Sequence, residues 1–138
     1  MQTPYEKDPY AWSLEQAAFL RNKDFKNLDT EHLAEEMDTL MASDKRALRS
    51  FIKNLLLHEL KKKYQPEKKS KSWNFSIRNS LDEIDQILKE SPSLKRFLPE
   101  YIKSTYKLAR EAASLETGLD EKIFPKACPW TIEEILGE

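Results

Sequence analysis

Apolar residues recur at spacings of three and four along the middle of the chain, between Asp44 and Gln65. Because that period places side chains on one face of an α-helix, the stretch predicts an amphipathic helix with a buried face. The stripe is wider than a surface helix needs, so we expect the helix to pack against neighbours on more than one side. Pro66 should end it, because proline lacks an amide hydrogen and disfavours helical geometry in the preceding residue. The predicted core positions are Leu48, Phe51, Ile52, Leu55, Leu56, Leu57 and Leu60.

Two shorter apolar patterns precede this central helix. Ser13 with Gln16 matches a capping box and predicts a helix from there to about Arg21 that buries Leu14, Ala17 and Leu20. A second pattern starts at Asn27 to Asp29 and places Leu33, Met37, Leu40 and Met41 at helical spacing as far as Ala42. No glycine or proline separates this pattern from the central helix, but Ser43 followed by Asp44 resembles an N-cap. We therefore expect a break or a bend at Ser43.

Prolines and caps divide the second half of the chain. A third long helix is predicted to end near Glu90, where Ser91 and Pro92 form a clear boundary. Pro99 should either kink the next helix or separate a short turn over residues 92–97 from it. Gly118 should close that helix in the left-handed conformation. A final capping box, Thr131 with Glu134, predicts a short C-terminal helix.

The whole pattern predicts an all-α fold. The chain has 138 residues and only two glycines, and its many leucine, lysine and glutamate residues favour helix over sheet. Residues 1–12 hold two prolines and three aromatic residues, which predicts an extended arm laid on the core. We expect one domain over residues 1–138, a helical bundle with a long central helix, this arm and a short C-terminal helix.

The formal charge of −1 hides one basic stretch. Residues 61–78 carry seven Lys and Arg residues against one acidic residue, whereas acidic residues outnumber basic ones on both sides of this stretch. Lysines attract phosphate and aromatic rings stack on bases, so the stretch is a candidate nucleic-acid or polyanion contact. Equally, lysines at a helix C-terminus favour the helix dipole, and Tyr64 could pack on Trp73. The candidate binding residues are Lys61, Lys62, Lys63, Tyr64, Lys68, Lys69, Lys71, Trp73 and Arg78.

Three polar residues outside the lysine run are structural candidates: Glu35, Glu36 and His58. His58-Glu59 begins like a zinc motif, but Lys62 stands where the second histidine ligand would be, so we expect His58 to be bonded inside the fold. The acidic residues near Glu35 lack the paired E-x-x-H motifs of di-metal bundles, and the nearest match is Asp29 with His32. Arg78 is expected to pair with Glu59, Glu35 or Glu36. We predict no metal, no cofactor and no catalytic residue.

The sequence also bears on location. The N-terminal residues show no apolar core of a signal peptide, and no apolar run approaches the ~20 residues of a membrane span. The single cysteine, Cys128, excludes an intrachain disulfide and fits a reducing compartment. We expect a soluble, cytoplasmic protein that does not contact a membrane.

Several separated motifs occur in a familiar order along the whole chain. They are Tyr10-Ala11-Trp12, Glu35-Glu36-Met37, His58, Tyr64-Gln65-Pro66-Glu67, Ser72-Trp73, Ser91-Pro92-Ser93-Leu94, Glu116-Thr117-Gly118-Leu119 and Phe124-Pro125 through Cys128-Pro129-Trp130. With these motifs the chain resembles a bacterial family, known chiefly from cyanobacteria, that is catalogued as domain of unknown function twenty-nine. The resemblance implies an all-helical bundle, and it supplies no activity, cofactor or catalytic residue.

Three functions follow as hypotheses. The first is a non-enzymatic helical interaction module that binds a protein partner through the corner at residues 58–78. The second is nucleic-acid or polyanion binding through the same lysines, which predicts an affinity that falls steeply with salt. The third and weakest is a metal-dependent hydrolase that uses Glu35, Glu36 or His58. The partner, the substrate, any regulatory signal and the oligomeric state stay open.

Overall fold

The computed structural model describes residues 3–68 and 71–138, and of Pro66 it describes the backbone alone. The described residues form five α-helices and no strand, which confirms the all-α prediction. The backbone divides into two compact units, one ending at Ala42 and the other spanning Ser43–Glu138. The single domain predicted from sequence stays a prediction. The helices are α1 Pro9–Arg21, α2 Thr30–Tyr64, α3 Lys71–Glu90, α4 Leu98–Thr117 and α5 Ile132–Leu136.

Helix α1 begins four residues before the predicted start. Asp8 is its N-cap and accepts a hydrogen bond from the Ala11 amide at 3.0 Å, and Pro9 follows in the first turn. Proline fits there because its missing amide hydrogen has no partner to lose. The predicted capping box is wrong, since the Ser13 hydroxyl donates to the Tyr10 carbonyl at 2.7 Å. The arm therefore ends at Asp8 and not at Trp12. It is not extended as predicted, because residues 5–7 form a turn in which the Lys7 and Asp8 amides donate to the Pro4 carbonyl at 3.2 and 3.3 Å.

The buried face of α1 also differs from the prediction. Trp12 and Gln16, one turn apart, are its buried side chains, whereas Leu14 and Leu20 are 55% and 47% exposed. Gln16 is buried because its carbonyl oxygen accepts the Asp29 amide at 2.8 Å. A polar residue thus takes a place that the apolar period assigned to leucines.

Helix α2 runs without a break from Thr30 to Tyr64, so the expected break at Ser43 is wrong. Ser43 is exposed and lies in the helix interior, where serine costs only a fraction of a kcal/mol relative to alanine. Asp29 begins the helix, and its side chain accepts the His32 amide at 3.3 Å. The apolar positions before Ser43 are largely exposed, with Met37, Leu40 and Met41 at 55%, 59% and 56%.

The core of the Ser43–Glu138 unit forms around the second half of α2. Leu48, Ile52, Leu55, Leu56 and Leu60 of that helix are almost fully buried, as the sequence predicted. They pack with apolar residues of α3, the 3₁₀ helix that follows it, α4 and the tail, namely Ile77, Ile84, Leu94, Leu98, Tyr101, Ile102, Tyr106, Ala109, Ala113, Phe124 and Ile135. A helix with neighbours on several sides accounts for the width of its apolar stripe.

The proline and glycine boundaries lie where the sequence placed them. A 3₁₀ helix covers Pro92–Phe97 and is separate from α4, which has Pro99 in its first turn. Gly118 closes α4 with a φ of 76°, a left-handed value that other residues adopt with strain. The capping box of Thr131 and Glu134 is present at the start of α5. The tail between these helices is anchored by Phe124, which is 1% exposed.

Candidate functional site

The predicted binding residues lie at the corner formed by the end of α2, a 3₁₀ helix over Pro66–Lys68 and the start of α3. We call residues 58–78 the basic corner. Lys68 and Lys71 are exposed, Lys62 is half-buried, and Lys69 lies outside the described residues. The contact of Lys61 with Trp73 places the end of α2 beside the start of α3.

Lys61 is committed to contacts within the protein. Its Nζ atom donates to Glu116 Oε1 of α4 at 2.9 Å and lies 5.6 Å from the centre of the Trp73 ring. Only 13% of this side chain is exposed. A cation over an aromatic face and against a carboxylate is well satisfied. Lys61 therefore ties three helices together and contributes little free charge to the surface.

Lys63 and Tyr64 also have partners in the fold. The Lys63 ammonium lies 5.8 Å from the Tyr64 ring centre and 5.7 Å from that of Trp130. The Tyr64 ring meets Phe124 edge to face, with 5.3 Å between the ring centres. Tyr64 is thus half-buried against the tail and serves packing more than base stacking.

Arg78 does not make the predicted pair with Glu59, Glu35 or Glu36. It is 79% exposed, and its Nε atom lies 3.6 Å from Asp82, one turn further along α3. The guanidinium faces away from the second half of α2, which forms the spine of this unit, because Ile77, the neighbour of Arg78 in sequence, occupies the buried face of α3. That prediction is wrong, and Arg78 remains available at the surface.

Phe75 is a residue of this corner that the sequence analysis missed. It is 73% exposed and lies four residues after Lys71 and three before Arg78, so the three side chains share one face of α3. The helical period could have shown this, because Phe75 falls outside the buried stripe of Ile77, Leu81 and Ile84.

His58 is half-buried and bonded within its own helix. Its Nδ1 atom lies 2.8 Å from the Asn54 carbonyl oxygen, which can only accept, so Nδ1 carries the hydrogen. Burial raises the pKa of the neighbouring Glu59 carboxyl, and Lys62 opposes that effect only in part. Among the described residues no three His, Cys, Asp or Glu side chains are placed to hold a metal ion.

A second polar cluster occurs in the unit that ends at Ala42, and we call Tyr5, Glu6, Trp12, Asp29 and His32 the His32 cluster. Asp29 Oδ2 lies 2.6 Å from His32 Nδ1 and accepts the Trp12 indole hydrogen at 3.0 Å. His32 Nε2 lies 3.2 Å from Glu6, and the Tyr5 ring stacks on the imidazole at 4.3 Å. A depression of about 440 Å³ lies among these side chains.

The electrostatics of this cluster favour a charged imidazole. The hydrogen bond to Asp29 raises the pKa of His32, and the charges of Asp29, Glu6 and Glu35 add to the effect. The same bond lowers the pKa of Asp29. With both ring nitrogens facing carboxylates, the imidazole has no free position for proton transfer, so the cluster holds the arm in place.

The other two predicted polar residues lie beside this cluster. Glu36 accepts a hydrogen bond from the Tyr5 hydroxyl, and Glu35 is exposed on α2. The arm is fixed a second time by Thr3, whose amide and hydroxyl both donate to Glu15 at 2.8 Å. Glu35 and Glu36 belong to the unit that ends at Ala42, whereas His58 belongs to Ser43–Glu138.

Comparison with known families agrees with the motif order along the chain. Residues 4–138 match the family model described as Domain of unknown function DUF29. The chain belongs to this family. No curated protein and no solved structure matches it significantly. The DUF29 assignment therefore adds no activity or ligand, and function must be argued from the surfaces of the chain itself.

One further observation concerns membranes. In residues 3–68 and 71–138 no helix is long and apolar enough to cross a bilayer.

Proposed function

We propose that this DUF29 protein is a non-enzymatic interaction module that binds an acidic partner protein through the basic corner. The observation that carries the proposal is the exposed face of α3, where Phe75 lies between Lys71 and Arg78. The module would insert Phe75 into an apolar cleft of the partner while the two cations meet carboxylates around it.

The exposure of Phe75 is what favours a partner over a solvated surface. Burying a phenylalanine side chain is worth about 1.5–3 kcal/mol, and this one remains 73% exposed. Aromatic residues and arginine are enriched in the centres of protein interfaces, where they carry much of the binding energy. A single exposed aromatic residue between two cations has the composition of such a centre.

The neighbouring lysines fit the same function. Lys61 and Lys63 lie over the rings of Trp73, Tyr64 and Trp130, so their ammonium groups have partners within the fold. Lys68 and Lys71 are exposed and Lys62 is half-buried, which leaves their charge for a partner. Charges around an interface mainly raise the association rate and select partners of opposite sign. An acidic partner follows from this arrangement.

The non-enzymatic part of the proposal rests on the two histidines. His58 uses Nδ1 for the Asn54 carbonyl, and His32 faces carboxylates with both ring nitrogens. A general base needs a free ring nitrogen within reach of a reacting group. His32 therefore has no free ring nitrogen, whereas His58 keeps Nε2 as an acceptor nitrogen in a half-buried position on α2. The bonding of His32 favours a structural role, and the non-enzymatic proposal rests mainly on that imidazole.

Single-stranded nucleic acid is the second candidate, and the same three residues favour it. An exposed aromatic ring can stack on a base while flanking cations meet the phosphates, and such binding weakens steeply with salt. Tyr64 argues against a larger stacking platform because its ring packs on Phe124. We rank this function below the protein partner for that reason.

The test uses a random-peptide display library selected against the immobilised protein, with Phe75→Ser as the variant and Leu115→Ser as the matched control. Leu115 is 86% exposed, so the control removes an equally accessible apolar side chain from the same unit. We expect the selected peptides to be rich in Asp and Glu and to contain one apolar segment that contacts the Phe75 side chain. They should bind Leu115→Ser like the wild type and lose about tenfold or more in affinity on Phe75→Ser or Lys71→Glu.

Two results would contradict the proposal. If the selected peptides show no enrichment in acidic residues, or bind Phe75→Ser as tightly as the wild type, the basic corner is not the binding surface. Fluorescence anisotropy with labelled oligothymidylate, at low and at physiological salt, tests the alternative directly. Binding that persists at physiological salt and is lost on Phe75→Ser would replace the protein partner with single-stranded nucleic acid.

A further inference from the structure

A second surface of the Ser43–Glu138 unit has the form of a ligand pocket. It lies between α4 and the tail segment after Phe124, and two hydrogen bonds hold that segment along the helix. The Tyr106 hydroxyl donates to the Pro125 carbonyl at 2.5 Å, and Arg110 Nε donates to the Phe124 carbonyl at 3.2 Å. Because both bonds use the tail backbone, they fix the wall of the pocket whatever the tail side chains are.

The pocket has an apolar floor. Ile102 and Tyr106 of α4 and Cys128 of the tail line it, and Ile102 and Tyr106 are 8% and 3% exposed. Its volume is about 410 Å³. Small-molecule sites are typically concave, mostly apolar and roughly 300–1,000 Å³ in volume, with a few polar groups that orient the ligand. This pocket is within that range.

The charged side chains that line the pocket are all cations. Lys103, Lys107 and Arg110 lie on one face of α4, Lys126 faces them from the tail, and none of the described lining residues is acidic. Among the described residues, Lys103, Lys107 and Lys126 form no salt bridge, whereas Arg110 lies 3.4 Å from Glu121. Like charges four residues apart on a helix repel each other slightly, and an anion in the pocket would relieve this repulsion between Lys103 and Lys107.

No group on the floor offsets this positive charge. Burial raises the pKa of Tyr106 to about 12, so its phenol stays neutral at physiological pH. Burial also raises the pKa of the Cys128 thiol, which is therefore neutral as well. The three unpaired ammonium groups thus surround an uncharged apolar surface.

We infer that this pocket binds a small organic anion, a carboxylate or sulfonate attached to an aromatic or aliphatic body. The body would rest on Ile102 and Tyr106, and the anionic group would lie among Lys103, Lys107 and Lys126. Partial exclusion of water by the floor strengthens such charge contacts relative to those on an open surface. The inference is independent of the proposed function, because none of these residues belongs to the basic corner.

The test compares anions with neutral molecules of the same shape. Naphthaleneacetate and octanoate are titrated into protein with labelled isoleucine and alanine methyl groups, alongside naphthaleneacetamide and octanamide. We expect at least one anion to shift the Ile102 and Ala127 methyl resonances, and its amide to bind about tenfold more weakly or not at all. The double variant that combines Lys107→Gln with Lys126→Gln should lower the affinity for the anion by about tenfold or more. A tenfold change corresponds to a loss of roughly 1.4 kcal/mol of binding free energy.

Lys122→Gln is the matched control, because Lys122 is exposed on the same tail but does not line the pocket. It should leave the affinity for the anion unchanged. Equal binding of acids and amides, shifts confined to other methyl groups, or no binding of either anion at millimolar concentration would overturn the inference. Dimerisation in analytical ultracentrifugation that the double variant abolishes would overturn it too, because a second copy would then occupy the pocket.

Discussion

His32 has a carboxylate at each ring nitrogen, Asp29 at 2.6 Å and Glu6 at 3.2 Å, and a tyrosine ring on its face. His58 has one backbone carbonyl and lies among the leucines of the central helix. The same residue type thus clamps the arm to α2 in one place and makes a local helix bond in the other. At His32 the hydrogen bond to Asp29 raises the pKa, and the neighbouring carboxylates add to the effect because each one favours the imidazolium.

The first prediction concerns the pH dependence of this clamp. A pKa raised above its ordinary value of 6.5 means that folded His32 binds its proton more tightly than the unfolded chain does. Its stabilisation is therefore complete below pH 6.5 and is lost as pH rises through the raised pKa. For Asp29 the pKa is lowered from 3.8, so its contribution is present above that value and is lost as pH falls through the lowered pKa. The arm should be held most firmly between these limits.

The indole N–H of Trp12 reports on the clamp, because it donates to Asp29. In ¹H–¹⁵N spectra its resonance should move as pH rises through the raised pKa of His32, and His32→Gln should abolish that transition. The indole signals of Trp73 and Trp130 serve as internal controls and should stay unchanged. A Trp12 signal that moves identically in the wild type and in His32→Gln would show that the imidazole does not hold the arm.

At the scale of elements, α2 is the feature that differs most from its sequence prediction. Ser43 followed by Asp44 has the residue types of an N-cap, yet the helix continues through both. A cap residue is favourable only where the preceding chain is non-helical, and here the residues before Ser43 already form helical turns. Helix propagation adds one hydrogen bond for each residue that it fixes, so an uninterrupted helix is favoured once it has formed on both sides.

The second prediction uses the sign of a stability change at Ser43. In a helix interior, Ser43→Ala should stabilise the protein by a few tenths of a kcal/mol, up to roughly 0.5, because alanine has the higher helix propensity. If Ser43 were an N-cap, the same change would cost about 1 kcal/mol. Urea unfolding followed by circular dichroism separates these outcomes, and a loss of stability would contradict the continuous helix.

Thr131→Ala is the matched control for this measurement. The Thr131 hydroxyl accepts a hydrogen bond from the Glu134 amide at 3.1 Å, and the Glu134 carboxylate accepts one from the Thr131 amide at 3.1 Å. Removing this cap should cost about 1 kcal/mol. Opposite signs for the two hydroxyl deletions would distinguish a real cap from a residue that only resembles one.

At the scale of the whole molecule, charge and core are unevenly divided between the two units. The unit that ends at Ala42 has four Lys and Arg residues against nine Asp and Glu, whereas Ser43–Glu138 has nineteen against fifteen. The continuous apolar core belongs entirely to Ser43–Glu138. Both proposed binding surfaces lie in this unit, which has both the excess of basic residues and the apolar core.

The third prediction tests how far the tail belongs to that core. Phe124 is 1% exposed and packs on Tyr64, whereas its neighbour Ile123 is 46% exposed. Phe124→Ala should lower the free energy of unfolding by about 3–5 kcal/mol, because it removes apolar burial and leaves a cavity. Ile123→Ala should cost no more than about 0.5 kcal/mol. Urea unfolding measures both values, and similar costs would show that the tail is not part of the core.

The residues determined much of this protein by themselves. The helical period, Pro66, Pro92, Pro99 and Gly118 determined where the long helices end, and the order of the motifs determined the family. These signals are local, because a cap, a proline or a repeating apolar face acts within one or two turns of its own position. The core face of the central helix was predictable for the same reason.

The tertiary structure decided which polar groups meet. Lys61 reaches Glu116 across 55 positions, Arg78 turns to Asp82 instead of the spine, and Gln16 replaces the leucines of α1 on the buried face. Contacts between distant segments leave no periodic pattern in the sequence. Helix α1 buries only Trp12 and Gln16, which are too few residues for the apolar period to identify its buried face. The cation-lined pocket could be recognised only in the tertiary structure, because α4 and the tail that line it are brought together by packing. The exposure of Phe75, in contrast, follows from the helical period of α3.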